Sequence, residues 1–278
     1  VTDPESLPEP DEAHADAADL AGLDPSLLDP RLLEPGVADG PWAMQLAVRY
    51  DKAALPTHRA VCAAAARAVV SLLADERARG EWGPYLRRWR DGRIRKLVRR
   101  ARGTRWDRCQ ELPGVTVAQD GAQVRAFVPL PARPLPPALD ELQVSGTEFP
   151  REAEDSGQEP LGPSSTAAAP PTSPEALGQS AGLGRAPVVT IALRPGLGLT
   201  TGKAAAQCGH AAQLAWERLV LDGRSEVLRA WHDDDWRVET LDELAPADWA
   251  ALDQAPIRVV DAGFTEVDGP TETTRAWW

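Results

Sequence analysis

The sequence contains no asparagine at all, and only three of its 30 basic residues are lysine. Alanine, glycine, proline and arginine are used freely instead, the composition written by a GC-rich genome such as that of a high-GC bacterium. Cysteine is scarce: Cys62, Cys109 and Cys208 lie far apart without CxxC spacing, and the four histidines are equally scattered. That spacing argues against a disulfide framework and against a zinc site. No apolar run approaches the roughly 18 to 20 residues of a membrane span, and the first residues are acidic where a signal peptide is basic. The expectation is a soluble, cytoplasmic protein with reduced thiols, no metal and no membrane partner.

What is present is unevenly distributed. The formal charge of -12 averages over segments of opposite sign: about -10 for residues 1–40, about +8 for 41–150, about -3 for 151–186 and about -7 for 187–278. Residues 1–40 carry proline at 4, 8, 10, 25, 30 and 35 and little aromatic content, which predicts a disordered acidic tail. Residues 151–186, centred on GQEPLGPSSTAAAPPTSPEALGQSAGLG, have the bias of a flexible linker. The expected plan is tail, basic domain, linker, acidic domain.

Both domains open alike. AMQLAVRY (43–50) precedes LPTHRAVCAAAARAVVSLL, and PVVTIAL (187–193) precedes TTGKAAAQCGHAAQLAWERLV; each is a β-type run breaking into an Ala-rich helix. Tryptophans follow in both (Trp82 and Trp89; Trp216, Trp231 and Trp236), and QVRAF (123–127) closes the first as TTRAW (273–277) closes the second. These parallels predict a tandem duplication whose copies have diverged, against the plainer alternative of two unrelated α/β units sharing an Ala-rich bias.

In the second domain a helix is predicted to start near Thr201 or Gly202. Lys203, Gln207 and His210 then fall at i, i+4 and i+7 on one face. IRVV (257–260) reads as a strand ending at Asp261, with a turn at Ala262 and Gly263 and Thr265 placed to face back. Strand ends of this kind commonly carry ligand sites in α/β sheets. Each residue also has a plainer reading: Lys203 as a solvated helix start, Asp261 and Thr265 as turn caps, His210 and Cys208 as packing residues.

GLTTGKAAAQCGHAA (198–212) resembles the strand-to-helix motif of type 2 peptidyl-tRNA hydrolases, and IRVVDAGFTEV (257–267) resembles their second motif, a DAG tripeptide followed one residue later by Thr. The resemblance covers about 90 residues. It implies a three-layer α/β/α fold around a four-stranded mixed sheet, and hydrolysis of the ester joining a peptide to tRNA without metal, cofactor or covalent nucleophile. It also implies catalytic roles for Lys203, Asp261 and Thr265 and substrate-positioning roles for Gly202, Gln207 and His210. Phe264 departs from the Arg often found before that Thr.

The first domain lacks these residues. Helix counting sets Arg59 opposite Lys203, Ala63 opposite Gln207 and Ala66 opposite His210, and no DAG-x-Thr precedes AFVPL. It carries RRWRDGRIRKLVRRARGTRWDR (87–108) instead, a basic stretch with interleaved tryptophans. Such a composition suits phosphate contacts and base stacking, so Arg93, Arg95, Lys96, Arg99, Arg100, Arg102 and Trp106 are candidate tRNA contacts. A solvated basic face is the plainer alternative. The expected division is a basic copy that grips tRNA and an acidic copy that cuts, arranged as an intramolecular pseudo-dimer or within a homodimer. A non-catalytic tRNA- or RNA-binding protein is the alternative from another class.

Overall fold

A computed structural model describes residues 28–36, 39–92, 95–151, 188–263 and 266–278. The chain is mixed α/β with two mixed sheets. The first contains β1 (Trp42–Arg49), β2 (Lys96–Ala101), β3 (Gly114–Gln119) and β4 (Ala122–Phe127) in the order β2-β1-β4-β3, with the short β5 (Leu130–Pro131) also pairing β1. The second contains β6 (Val189–Leu193), β7 (Val238–Leu241), β8 (Ile257–Asp261) and β9 (Thr271–Trp277) in the order β7-β6-β9-β8. In each, the leading strand pairs parallel with one neighbour and antiparallel with the other. Ala47 faces Arg125 in the first sheet as Ala192 faces Arg275 in the second, so the QVRAF and TTRAW segments occupy matching register.

The helices follow the same scheme. Thr57 caps α1 (His58–Ala74), its side chain accepting from the Ala60 N–H, and Thr200 caps α5 (Thr201–Leu221) by accepting from the Lys203 N–H. Such caps satisfy first-turn donors that the helix itself leaves open. Shorter helices α2 (Gly83–Arg90), α3 (Thr104–Cys109), α4 (Pro137–Asp140), α6 (Ser225–Asp233) and α7 (Pro246–Ala251) fill the connections. Trp89 in α2 and Trp231 in α6 are both wholly buried, and each indole donates to the backbone carbonyl six residues on, Arg95 and Arg237.

The two sheets share one inner core. Strand alternation turns Leu46 and Ile191 inward to that core and Ala47 and Ala192 outward to smaller clusters. Helices α1 and α5 pack on each other. Helix α1 also covers β3 and β4 of its own sheet and reaches β7 of the other, while α5 covers β6, β8 and β9 and reaches β2. Polar bonds cross the same seam: Gln119 Nε2 donates to Val238 O at 2.7 Å, Thr240 Oγ1 to Arg59 O at 3.0 Å, and Arg67 pairs with Asp235.

Two boundaries differ from the sequence-based plan. Residues 28–36, assigned to the tail, pack on the protein: Leu28 is buried and Leu32 and Leu33 lie against the inner core. An apolar Leu cluster outweighs the acidic bias around it. The end of the basic segment is held by its own domain, His58 N donating to Pro150 O, and also reaches past it: Thr147 O accepts from Gly202 N and Arg151 reaches Leu199 O. Residues 1–27 of the tail and 152–187, nearly all of the linker, lie outside the described residues. Among the described residues no helix is long and apolar enough to cross a membrane.

Candidate active site

Helix α5 and strand β8 bring three of the candidate residues together. Lys203 lies in the first turn, beyond the Thr200 cap, and Gln207 one turn later on the same face. Both reach Asp261, the last residue of β8: Lys203 Nζ lies 2.5 Å and Gln207 Nε2 2.7 Å from Oδ2. The other carboxylate oxygen, Oδ1, accepts from Gly263 N at 2.9 Å. Gly263 has φ +81, and a Cβ there would sit within 2.5 Å of Gly269 backbone. Only glycine allows the turn that returns its N–H to the carboxylate.

Burial alone would raise the Asp261 carboxyl, but the Lys203 ammonium and the Gly263 and Gln207 donors hold it below the ordinary carboxylate range. Asp261 is therefore ionised at neutral pH. The side chains of Lys203 and Asp261 are 14% and 12% exposed, so the pair is largely shielded yet open to a ligand.

Thr273 is a supporting residue that helical spacing could not reveal. Buried in β9, it donates from Oγ1 to Gln207 Oε1 at 2.8 Å, which obliges Gln207 to turn its NH2 toward Asp261. No alternation in the closing strand announces it, because the register shifts at Val259/Val260 and Thr273 is the residue passed over between the Val259–Thr274 and Val260–Glu272 pairs. Thr273→Val is expected to leave Gln207 Oε1 without a donor, costing about 1 to 2 kcal/mol. Chemical denaturation checks that value.

Glu266 adds a second clamp, accepting from Thr200 N at 2.8 Å and from Thr200 Oγ1 at 2.7 Å. It ties the turn after β8 to the start of α5. Thr265, the third expected catalytic residue, and Phe264 lie outside the described residues.

Two positioning candidates make no hydrogen bond to Asp261 among the described residues. Gly202 donates its N–H to Thr147 O, and a Cβ there would lie 3.1 Å from Thr147 Cβ; its smallness accommodates the first domain's closing segment. His210 makes no hydrogen bond among the described residues. Burial and the nearby Lys96 charge push its imidazole down to about 3 against a smaller opposing effect of Asp261, so it is neutral at physiological pH.

The basic stretch is largely committed inward. Arg99 is buried and bonds Gln45 and Leu142 O. Lys96 Nζ donates to Gln213 Oε1 at 2.5 Å and lies 5.0 Å from the Trp89 ring centroid; burial lowers its ammonium to about 7, Glu217 raising and Arg90 further lowering it. Trp106 is buried in the outer cluster of the first sheet, which removes it from base stacking. Arg100 bonds Gln143, while Arg95 and Arg102 are exposed; Arg93 lies outside the described residues. The reason is register: a charged run threaded through a strand sends alternate residues inside.

Among the described residues the first sheet has no cluster like that at Asp261. Matching the Thr57 and Thr200 caps sets Ala60 opposite Lys203 and Ala64 opposite Gln207, one residue on from the alignment obtained by counting. Strand register sets Gln119 opposite Asp261. Among the described residues a pocket of about 490 Å3 opens in the first domain and another of about 100 Å3 lies beside the β6–α5 turn, and neither is lined by Lys203 or Asp261. Compared with known proteins, the chain matches no family model, no curated protein and no solved structure.

Proposed function

We propose that this chain is a peptidyl-tRNA hydrolase, or a hydrolase of a related aminoacyl ester of tRNA, acting in the cytoplasm. The observation that carries the reading is the convergence of Lys203 Nζ, Gln207 Nε2 and Gly263 N on Asp261, joining two sequence motifs 58 residues apart into one ion-paired cluster. Water attacks the ester carbonyl carbon, the tetrahedral oxyanion forms toward Lys203, and collapse expels the ribose oxygen, which takes the proton that the water gave up. Lys203 supplies positive charge where negative charge develops. Asp261, held below the ordinary carboxylate range, is a weak base by Brønsted reasoning. Its role in this reading is to orient the water, with Thr265, and to fix the ammonium.

The chain is further proposed to be a tandem duplication of a three-layer α/β/α unit, packed as an intramolecular pseudo-dimer. Support comes from the matching strand orders, the paired threonine caps and the Trp89 and Trp231 indoles with identical hydrogen-bond spacing. In this division the first copy contributes binding and the second chemistry.

The test is release of labelled peptide from peptidyl-tRNA by the purified chain. Turnover is expected, with Lys203→Ala about 10²-fold slower, the usual loss on removing an oxyanion donor. Absence of release, or equal release by both proteins, overturns the reading. A non-catalytic tRNA-binding protein is the second reading, favoured by the engagement of both Asp261 oxygens by protein donors; its mark is tRNA binding without release.

A further inference from the structure

The pocket of about 490 Å3 in the first domain has no part in the chemistry above. It opens beyond the carboxyl ends of the parallel pair β1 and β2, walled by Arg49, Tyr50 and Lys52 on one side and Arg102 and Trp106 on the other. The crevice outside such strand ends is where the chain turns away and ligands are accommodated in open α/β sheets.

Its cations are prepared rather than neutralised. The Arg102 guanidinium lies 4.6 Å from the Tyr50 ring centroid and Arg100 5.4 Å from it, and Phe149 packs on the same ring at 5.4 Å. Stacking fixes the guanidinium plane and leaves its edge N–H groups for a ligand. Among the described residues no carboxylate pairs with Arg102 or Lys52, whereas nearby Arg105 and Arg108 are matched by Glu141 and Arg133 by Asp140. Of the two acidic lining residues, Asp51 turns back to accept from Ala53 N; Asp107 stands with Trp106 on the far wall. Three cations, of which Arg49 also donates to Gln123 Oε1 at 3.0 Å, stand against two carboxylates, of which Asp51 is engaged by Ala53 N, and leave the pocket net positive in a chain of net charge -12.

We infer that this pocket binds a phosphate ester of a nucleic acid, with the Arg102 edge and the Lys52 ammonium on the phosphate oxygens and Arg49 beside them. The pocket is also tied to the ester site. Tyr50 packs on Phe149, whose N–H donates to Thr201 Oγ1 at 3.1 Å, two residues before Lys203. A strand anchored here is held by the same body that carries the reacting groups. Only the identity of the polymer as tRNA rests on the hydrolase reading.

The experiment is an anisotropy titration of the full chain with labelled deacylated tRNA across a range of salt, with adenosine monophosphate as competitor. Because deacylated tRNA has no ester, a protein without hydrolase activity still gives a full result. Lys52→Gln with Arg102→Gln is expected to weaken binding about tenfold at moderate salt and to reduce the slope of log affinity against log salt by about 1.5, the loss of two phosphate contacts. Lys52→Glu alone, on an exposed turn, reads the same effect if losing the Arg102 stack lowers stability. Competition by adenosine monophosphate assigns a nucleotide-sized site; absence of competition assigns a site that follows the polymer backbone. Either supports a phosphate ester as ligand. A wild type that binds neither, or variants with unchanged affinity and slope, overturn the inference.

Discussion

Asp261→Asn is expected to lower ester turnover by about 10³-fold or more while the protein remains folded. Asparagine preserves shape and can still accept from Gly263 N. Its second position is the problem: with Oδ1 facing Gly263, an NH2 group replaces the oxygen that Lys203 and Gln207 now share. Three donors then meet with no acceptor between them, and the ammonium loses its counter-charge in a site where its side chain is only 14% exposed. Removing one partner of a fully buried pair costs about 3 to 5 kcal/mol; with both groups still touching solvent, about 2 kcal/mol is expected here.

The pH dependence separates this effect from a general loss of packing. The folded carboxyl of Asp261 titrates below its ordinary value, so its contribution to stability is complete above the unfolded pKa of about 4 and disappears as pH falls through the lower folded value. The melting-temperature gap between wild type and Asp261→Asn is therefore expected to be widest near neutrality and to close below about pH 4. Single-turnover release from peptidyl-tRNA measures the chemical effect. An Asn variant as fast as wild type would remove Asp261 from the mechanism, and a gap unchanged from pH 7 to pH 3 would remove the ion pair from the stability argument.

The parts of this site that periodicity governs were legible before any coordinates. The i, i+4 spacing set Lys203 and Gln207 on one face, and IRVV with its following Asp and Gly marked a strand end and turn, which together define where Asp261 sits. Spacing says less one turn further on. His210 continues the same helical face, but its surroundings include Lys96 from β2 of the other sheet, and no local pattern announces a neighbour more than a hundred residues away. The basic stretch was legible only in part for a related reason. Its charge is local and was visible; which of its side chains face water depends on the register of β2, which sends Arg99 to Gln45 and the Leu142 carbonyl while leaving Arg102 outside. Aligning the two helices by residue counting and by their caps Thr57 and Thr200 gives pairings that differ by one residue.

Gly209→Leu is expected to cost about 3 kcal/mol or more, the upper range for overpacking an interior, and to depress ester turnover with it. Helix α5 covers its own sheet and also packs closely on the other half of the molecule. A Cβ at Gly209 would lie 3.0 Å from Val69 Cγ2 and 3.3 Å from Lys96 Cδ, with the Ala65 carbonyl oxygen at 3.8 Å. Val69 is wholly buried in α1, and Lys96 is held by Gln213, so neither yields cheaply to four added carbons. The helices must separate, and α5 is the element that aims Lys203 at Asp261 while α1 holds the other side of the shared core. Stability and turnover therefore fall together, and Gly209→Ala, with one carbon to fit, is expected to show the same pair of effects at smaller amplitude. A leucine variant that melts with wild type and retains full turnover would mean that the two sheets need not remain joined for the site to work.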